Sequence, residues 1–397
     1  MNLLHLVLAR EMETNVPVSL WNQIAYKGII NRSQPLSCNI DDTFPVYAPQ
    51  GGIATSGMDS CQERFFVVGC CNGSILCHDL QKDGVVVGSS TRGKGHTHSV
   101  SSIHWLPRDA GLFVTGSMDK SLKIWNTATF SSVYTFNLRS HINNIALSPI
   151  PGGTTRKLIG VCRHNCNELT LCDMGSGSSI QTLIGHEKEV MCCDWSPVSE
   201  FVLASGSADR TIMFWDIRRS GKSAMLGKLD QENREKRLTS KSSYAHDGIV
   251  TFVRFVHGGN YIVSSGSDGR ITSWKACSEK QYYRNTRVHY CSTIADPVRV
   301  SAHGVCAVTC EVPDKDVEIF HTLGASGAVF GSFDLLGGSL LEKHSGHFMK
   351  ITSLTYRSLS QELLSTSFDG LIVRWTRKSN HVEEEIKQDD WDSDFEF

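Results

Sequence analysis

A six-residue interval between an aspartate and a tryptophan recurs along this chain and restricts its fold more than any other feature. It appears in SMDKSLKIWN (117–126), SADRTIMFWD (207–216), GSDGRITSWK (266–275) and SFDGLIVRWT (367–376). The pairs are Asp119 and Trp125, Asp209 and Trp215, Asp268 and Trp274, and Asp369 and Trp375. A histidine, in turn His96, His186, His246 and His347, lies 28 or 29 residues before each tryptophan. Three weaker copies fit the frame: Asn72 before His78, Cys166 before Cys172, and Asp314 before Phe320. The seven frame positions, 78, 125, 172, 215, 274, 320 and 375, are 47, 47, 43, 59, 46 and 55 residues apart. A period of about 40–50 residues carrying these marks predicts a β-propeller of four-stranded blades.

Each unit reads as alternating strands between turn signals. In the fourth, EVMCCDWSP, FVLASGSA, RTIMFWDI and KSAMLGKL are four antiparallel strands. A lone blade cannot bury both faces, so neighbours must stack and the ring must close. The expected fold is all-β, a seven-bladed propeller over 50–380. A helical segment over 1–40 precedes it, and an acidic, disordered tail follows over 381–397. In the first segment, apolar positions 3, 4, 7 and 8 have helical spacing, and SLWNQIAYKGII after Pro17 suggests a second short helix. A propeller has no need of these helices, so their apolar faces must pack on the ring or on a partner.

Charge limits the function classes. The chain carries −2, but the tail HVEEEIKQDDWDSDFEF alone carries −7, leaving +5 elsewhere. Apart from a modest cluster at 234–241 there is no basic stripe, which argues against direct nucleic-acid binding. No apolar run reaches membrane-spanning length. The N-terminal MNLLHLVLAR lacks the basic start and small-residue cleavage site of a signal peptide. The fourteen cysteines are spread over a long chain. Cys70, Cys71, Cys77, Cys162, Cys172, Cys192 and Cys193 fall in expected strands and read as buried thiols in a reducing compartment.

Candidate chemistry is thin. His186, Asp209 and Ser205 or Ser207 have the side chains of a hydrolytic triad, but the set recurs blade after blade, and catalysis needs one copy. Cys162, His164 and Cys166 alternate as metal ligands might on a strand, yet no second pair completes a zinc site. The glycine-rich 324–333 lacks the Lys-Ser/Thr of a phosphate loop and reads as strand–turn–strand. No cofactor or metal is expected. The polar segment 230–244 reads as a solvated loop of the kind that carries function on propellers. Trp391 and Phe395, set among acids, form a candidate partner-binding motif of the tail.

The frame resembles the WD40-repeat family over about 50–380. HTHSVSSIHWLPRDAGLFVTGSMDKSLKIWNTATF (96–130) and GHEKEVMCCDWSPVSEFVLASGSADRTIMFWDIRRSGK (185–222) are similar to the second and fourth blades of its Cockayne syndrome group A branch. LVLAREME with Pro17 and the acidic, Trp-containing tail are similar to that branch as well. The WD40 resemblance implies that each histidine bridges the turn aspartate and a Ser or Thr hydroxyl that reaches the indole. The closer resemblance implies a non-catalytic, nuclear substrate receptor of a cullin-RING E3 ubiquitin ligase in transcription-coupled nucleotide excision repair. Its implied partners are the large subunit of the damaged-DNA-binding protein as adaptor, the cullin-RING scaffold, a Cockayne syndrome group B-like ATPase and the RNA polymerase II complex. The adaptor would be met by Leu6, Leu8, Ala9 and Arg10 and by the Trp-Asp-x-Arg motif, here Asp216 and Arg218 after Trp215. Arg218 lies past the third strand, where the blade has no need of it, and its guanidinium offers five donors. Blades two, five and seven depart from Trp-Asp, with Asn126, Lys275 and Thr376 after the tryptophan. The alternative is a WD40 scaffold of another nuclear complex, in chromatin or ribosome assembly.

Overall fold

The structure is a computed structural model. It describes residues 52–377, except 83, 91–93, 108, 149–157, 230–243, 257–258, 260, 277–289, 293–297, 300–307, 312–318, 324–328, 335–339, 358 and 361, together with strands Leu36–Ser37 and Thr43–Pro45. Leu6, Leu8, Ala9 and Arg10, the helices expected over 1–40, and the tail with Trp391 and Phe395 lie outside the described residues. Within that first segment, Leu36–Ser37 is strand.

Seven antiparallel sheets follow one another along the chain. The fourth is representative. Val190–Trp195, Val202–Ser207, Ile212–Asp216 and Met225–Lys228 pair in sequence order, the last strand being led in by a short 3-10 turn at Gly221–Ala224. The first strands of blades one to five adjoin in succession, the first strand of six adjoins that of seven, and that of seven adjoins that of one. Blades one to six lie in one compact unit, Cys38–Trp375, together with blade seven apart from Leu36–Ser37 and Thr376–Arg377. Leu36 and Ser37 pair with Arg377 and Thr376.

Blade seven is completed from the start of the chain. Thr43, Phe44 and Pro45 pair with Val373, Ile372 and Leu371, so the sheet begins before the boundary expected at 50. The physical reason is the edge: the third strand of the last blade would otherwise present unpaired N–H and C=O groups.

The core sits between blades. Cys162, Leu169, Leu171 and Leu183 of blade three pack with Trp195, Leu203 and Trp215 of blade four. Trp125, Trp195, Trp215 and Trp274 are fully enclosed. Fully burying a large apolar side chain contributes roughly 1.5–3 kcal/mol, so these rings dominate the stacking. Outer strands are wetter: Val85, Val86, Val87, Val133 and Ile180 are exposed. Among the described residues no helix is long and apolar enough to cross a membrane.

Two repeat assignments need correction. In blade six, Phe320 lies on the second strand (Ile319–Leu323), and the third is Val329–Asp334. The backbone register puts Phe333 at the frame position. It pairs with Phe320 as Trp125 pairs with Phe113, and the strand-three bulge falls just before it, as it does before Trp125 and Trp215. Blade six has Phe333 in place of the tryptophan and Gly327 in place of the aspartate six before it, and an Asp six residues before an aromatic also occurs at its second strand. In blade three the turn is one residue longer. Cys162 pairs with Leu169, seven positions on, whereas Gly116 pairs with Leu122 and Gly206 with Ile212, six on. Cys166 is therefore not a simple replacement for the aspartate. Finally, Cys71 is not in a strand. It occupies the turn after Phe65–Cys70 and is half-buried.

Candidate docking site at Arg218

In blade four the third strand carries candidate residues at both ends. At one end lie the histidine–aspartate turns. His186 Nδ1 is 2.9 Å from Asp209 Oδ2, its Nε2 is 2.7 Å from Ser205 Oγ, and Trp215 Nε1 donates to the same Oγ at 2.7 Å. Blade two repeats this with His96, Asp119, Thr115 and Trp125. Blade five uses His246, Asp268, Ser264 and Trp274, and blade seven His347, Asp369, Ser365 and Trp375. The carboxylate accepts from Nδ1–H, leaving Nε2 to accept the hydroxyl proton, while the hydroxyl oxygen takes the indole N–H. Ser205 is wholly buried with both roles of its hydroxyl engaged, so it has no geometry for attack on a substrate carbonyl.

Burial raises the Asp119, Asp209 and Asp268 carboxyls, but the hydrogen bonds they accept, first from the histidines and then from neighbouring groups, outweigh it and hold all three below the usual range. Burial also pushes His347 down. The unfolded chain therefore binds more protons in acid. The aspartate contribution is present above about pH 4 and lost as pH falls further, and the His347 contribution begins to fade below about pH 6.5. Thermal melts from about pH 7 down to about pH 3 are expected to show a falling midpoint, with a flatter acid limb for Asp209→Asn.

At the other end, past the tryptophan, Asp216 closes an Asx-type turn. It is buried at 2% exposure and accepts the Arg218 backbone N–H at 3.0 Å. Arg218 then grips it with two further bonds, Nε to Oδ1 at 2.9 Å and Nη2 to Oδ2 at 2.8 Å. The guanidinium lies 4.7 Å above the Phe201 ring. The hydrogen bond from Arg218 holds the Asp216 carboxyl below its usual range and, reciprocally, Asp216 raises Arg218.

Asp216 is thus engaged within the blade by Arg218, and the two stand together as the candidate adaptor contact. The turn at this position is structural: Asn126 and Asp173 make the same kind of turn in blades two and three. Yet the Arg218 side chain remains 54% exposed, and three of its five N–H groups are unspent in the Asp216 grip. Asp216 and Phe201 thus hold a flat, always-charged donor toward solvent. The site lies one strand length, roughly 16 Å, from the histidine turns.

Sequence reasoning missed a second arginine held this way. Arg64 forks onto Asp79 through Nε and Nη2 at 3.0 and 2.6 Å and lies 4.9 Å from the centre of the Phe65 ring. The His78-Asp79 dipeptide at the weak first frame was the available signal.

The suspected metal ligands part company. Cys162 is buried, His164 Nδ1 pairs with Glu189 Oε1 at 2.7 Å, and Cys166 contacts Ser140. Among the described residues no three ligand-type side chains gather as a metal would require. Cys70, Cys77, Cys162, Cys172, Cys192 and Cys193 are buried free thiols. Burial pushes Cys77 up to about 12 and Cys172 to about 11, which leaves both protonated and inert.

Residues 88–126, 177–216 and 238–275 match the family model described as WD domain, G-beta repeat. These segments end in the third strands of blades two, four and five, three of the four blades with the complete His–Asp–hydroxyl–Trp network. The chain carries WD40 repeats folded as a β-propeller, a platform for protein–protein contacts. It is 27% identical to the WD repeat-containing protein ATCSA-1 of Arabidopsis thaliana over 86% of this chain and 88% of that protein. It is 26% identical to radiation-sensitive protein 28 of Saccharomyces cerevisiae over 46% of this chain and 39% of that one. Ribosome biogenesis protein ytm1 of Pyrenophora tritici-repentis is 32% identical over 45% of this chain and 39% of its own length. The chain thus spans most of the first relative and about two fifths of the other two.

Proposed function

We propose that the protein is a non-catalytic, nuclear substrate receptor of a cullin-RING E3 ubiquitin ligase acting in transcription-coupled nucleotide excision repair. In this reading Arg218 and the N-terminal residues Leu6, Leu8, Ala9 and Arg10 dock on the ligase's propeller adaptor, the damaged-DNA-binding protein large subunit. The Cockayne syndrome group B-like ATPase and the RNA polymerase II complex are the proteins brought near. Ubiquitin transfer then follows from proximity to an enzyme held elsewhere in the assembly.

The observation that carries the reading is Arg218, half-exposed and braced by Asp216 and Phe201. The likeness to ATCSA-1 across most of both chains supports it. Two signals, one in the propeller and one N-terminal, would act together on the adaptor. Removing residues 1–35 is expected to weaken capture of purified adaptor at least tenfold while the propeller melts at an unchanged temperature. Unchanged capture would refute the N-terminal role. The likeness to a ribosome biogenesis protein favours the alternative scaffold reading over less than half the chain. That reading predicts recovery of assembly factors in place of ligase subunits.

A further inference from the structure

We propose that the histidine-turn end of blades seven, one and two is a docking surface for an acidic protein segment bearing apolar anchors. The proposal deepens the receptor reading and rests on it only in calling that partner a target.

Backbone hydrogen bonds fix which positions correspond. After the histidine, the N–H groups of Thr97, Glu187, Asp247 and Phe348 each donate to the turn aspartate of their own blade. Three of these residues are polar, whereas Phe348 is 89% exposed and Met349 beside it 53%. Before the aspartate, Phe368, Met118, Ala208 and Ser267 donate to Lys350, Ser99, Glu189 and Ile249, and Cys71 donates likewise to Gly52. Blades seven, one and two therefore present Phe368, Cys71 and Met118 where blades four and five present Ala208 and Ser267. Phe368, Cys71 and Met118 enter these bonds through the backbone alone, whereas Ser267 Oγ also accepts the Ile249 N–H, so the blades have no need of apolar side chains there. Contiguous exposed apolar groups of this kind mark interaction sites.

The arc is continuous. A Cβ on Gly52 would fall 2.2 Å from Phe368 O, and one on Gly73 2.2 Å from His96 O, so blade one joins its neighbours at backbone contact. Its turn offers only small side chains, a low saddle between Phe368 and Met118.

Charge selects the occupant. Glu187 and Asp247 stand exposed on blades four and five, each offset by a cation, Lys188 beside Glu187 and Arg270 paired with Asp247. In blades seven and two the turn acids Asp369 and Asp119 are under 10% exposed and engaged by histidine. Lys94 and Lys120, by contrast, are exposed on this arc. An acidic chain with aromatic or aliphatic anchors is complementary to cations around Phe and Met, and a basic chain is not.

The test uses the full-length protein and a fluorescein-labelled synthetic peptide of Asp, Glu and Ser containing two Phe and one Trp, read by fluorescence anisotropy. Saturable binding is expected. It should weaken about tenfold or more in Phe348→Ser/Met349→Ser, and severalfold, with a shallower salt dependence, in Lys94→Glu/Lys120→Glu. A peptide with its acids replaced by lysine should not bind, and Ile180→Ser on the outer strand of blade three should bind as the parent does. Adaptor capture by the Phe348→Ser/Met349→Ser protein should be intact, which also shows that it folds. If adaptor capture is absent in every form while the peptide still binds through Phe348, the ligase reading fails and the surface stands. Equal peptide binding by the Phe348→Ser/Met349→Ser protein, or no saturable binding, overturns the proposal. So does tighter, Phe348-dependent binding of a single-stranded oligothymidylate.

Discussion

Trp215→Ala is expected to lower the unfolding free energy by about 3–5 kcal/mol, read as a shift of the urea midpoint. Trp215 is fully buried in the cluster that joins blades three and four. Its ring packs edge-on to His186 at 5.8 Å, and a Cβ on Gly185 would sit 2.8 Å from its outer edge, so no neighbouring atom can fill the hole. Removing the indole also takes the donor from Ser205 Oγ, loosening the chain of bonds through His186 to Asp209. Loss of packing and loss of a buried hydrogen bond act in the same direction. Cys172→Ala, at the equivalent position in blade three, removes one sulfur and should cost about 1 kcal/mol or less. Equal shifts for the two variants would show that the network, and the ring packed on it, does not hold the blades.

Gly73→Ala should destabilise by more than about 3 kcal/mol, from two causes that a second variant separates. Gly73 has φ +87°, a left-handed conformation that costs a residue with a Cβ roughly 1–2 kcal/mol. The added methyl would also lie 2.2 Å from His96 O and 2.8 Å from His98 O, in a loop anchored by the His96 N–H donating to Gly73 O at 3.0 Å. Gly221 shares the left-handed backbone at φ +57° but has nothing within 4 Å of its Cβ position. Gly221→Ala therefore reports the backbone cost alone, about 1 kcal/mol. The difference between the two measures how firmly blade one is pinned to the loop of blade two.

The propeller was legible because its blades repeat one mechanical solution. Each histidine, aspartate and tryptophan satisfies buried donors in the same place, so the spacing survives from Asp119 to Trp125 through Asp369 to Trp375. Blade six hid its register because it lacks the aspartate and tryptophan marks, and an aspartate-to-aromatic interval at Phe320 mimicked them. The closing strand Thr43–Pro45 was invisible because a sheet edge recruits its partner by backbone pairing, which leaves little trace in three residues. The grip of Arg218 on Asp216 was hidden for a related reason: a four-residue motif shows that an arginine follows an aspartate, but not that the carboxylate is buried and binds that arginine. The exposed Phe348 was readable as an apolar residue in a polar slot only after the backbone donors to the turn aspartates had aligned the blades.

Arg218 is proposed to join this propeller to a ligase adaptor. The most direct test is affinity purification of the full-length protein and Arg218→Ala from nuclear extract, with mass spectrometry of what is recovered and a thermal melt of each form. Adaptor and cullin are expected with the parent protein, and a loss of at least about tenfold with the variant, whose propeller still melts cooperatively. Equal recovery by both forms, or no ligase subunit with either, would contradict it.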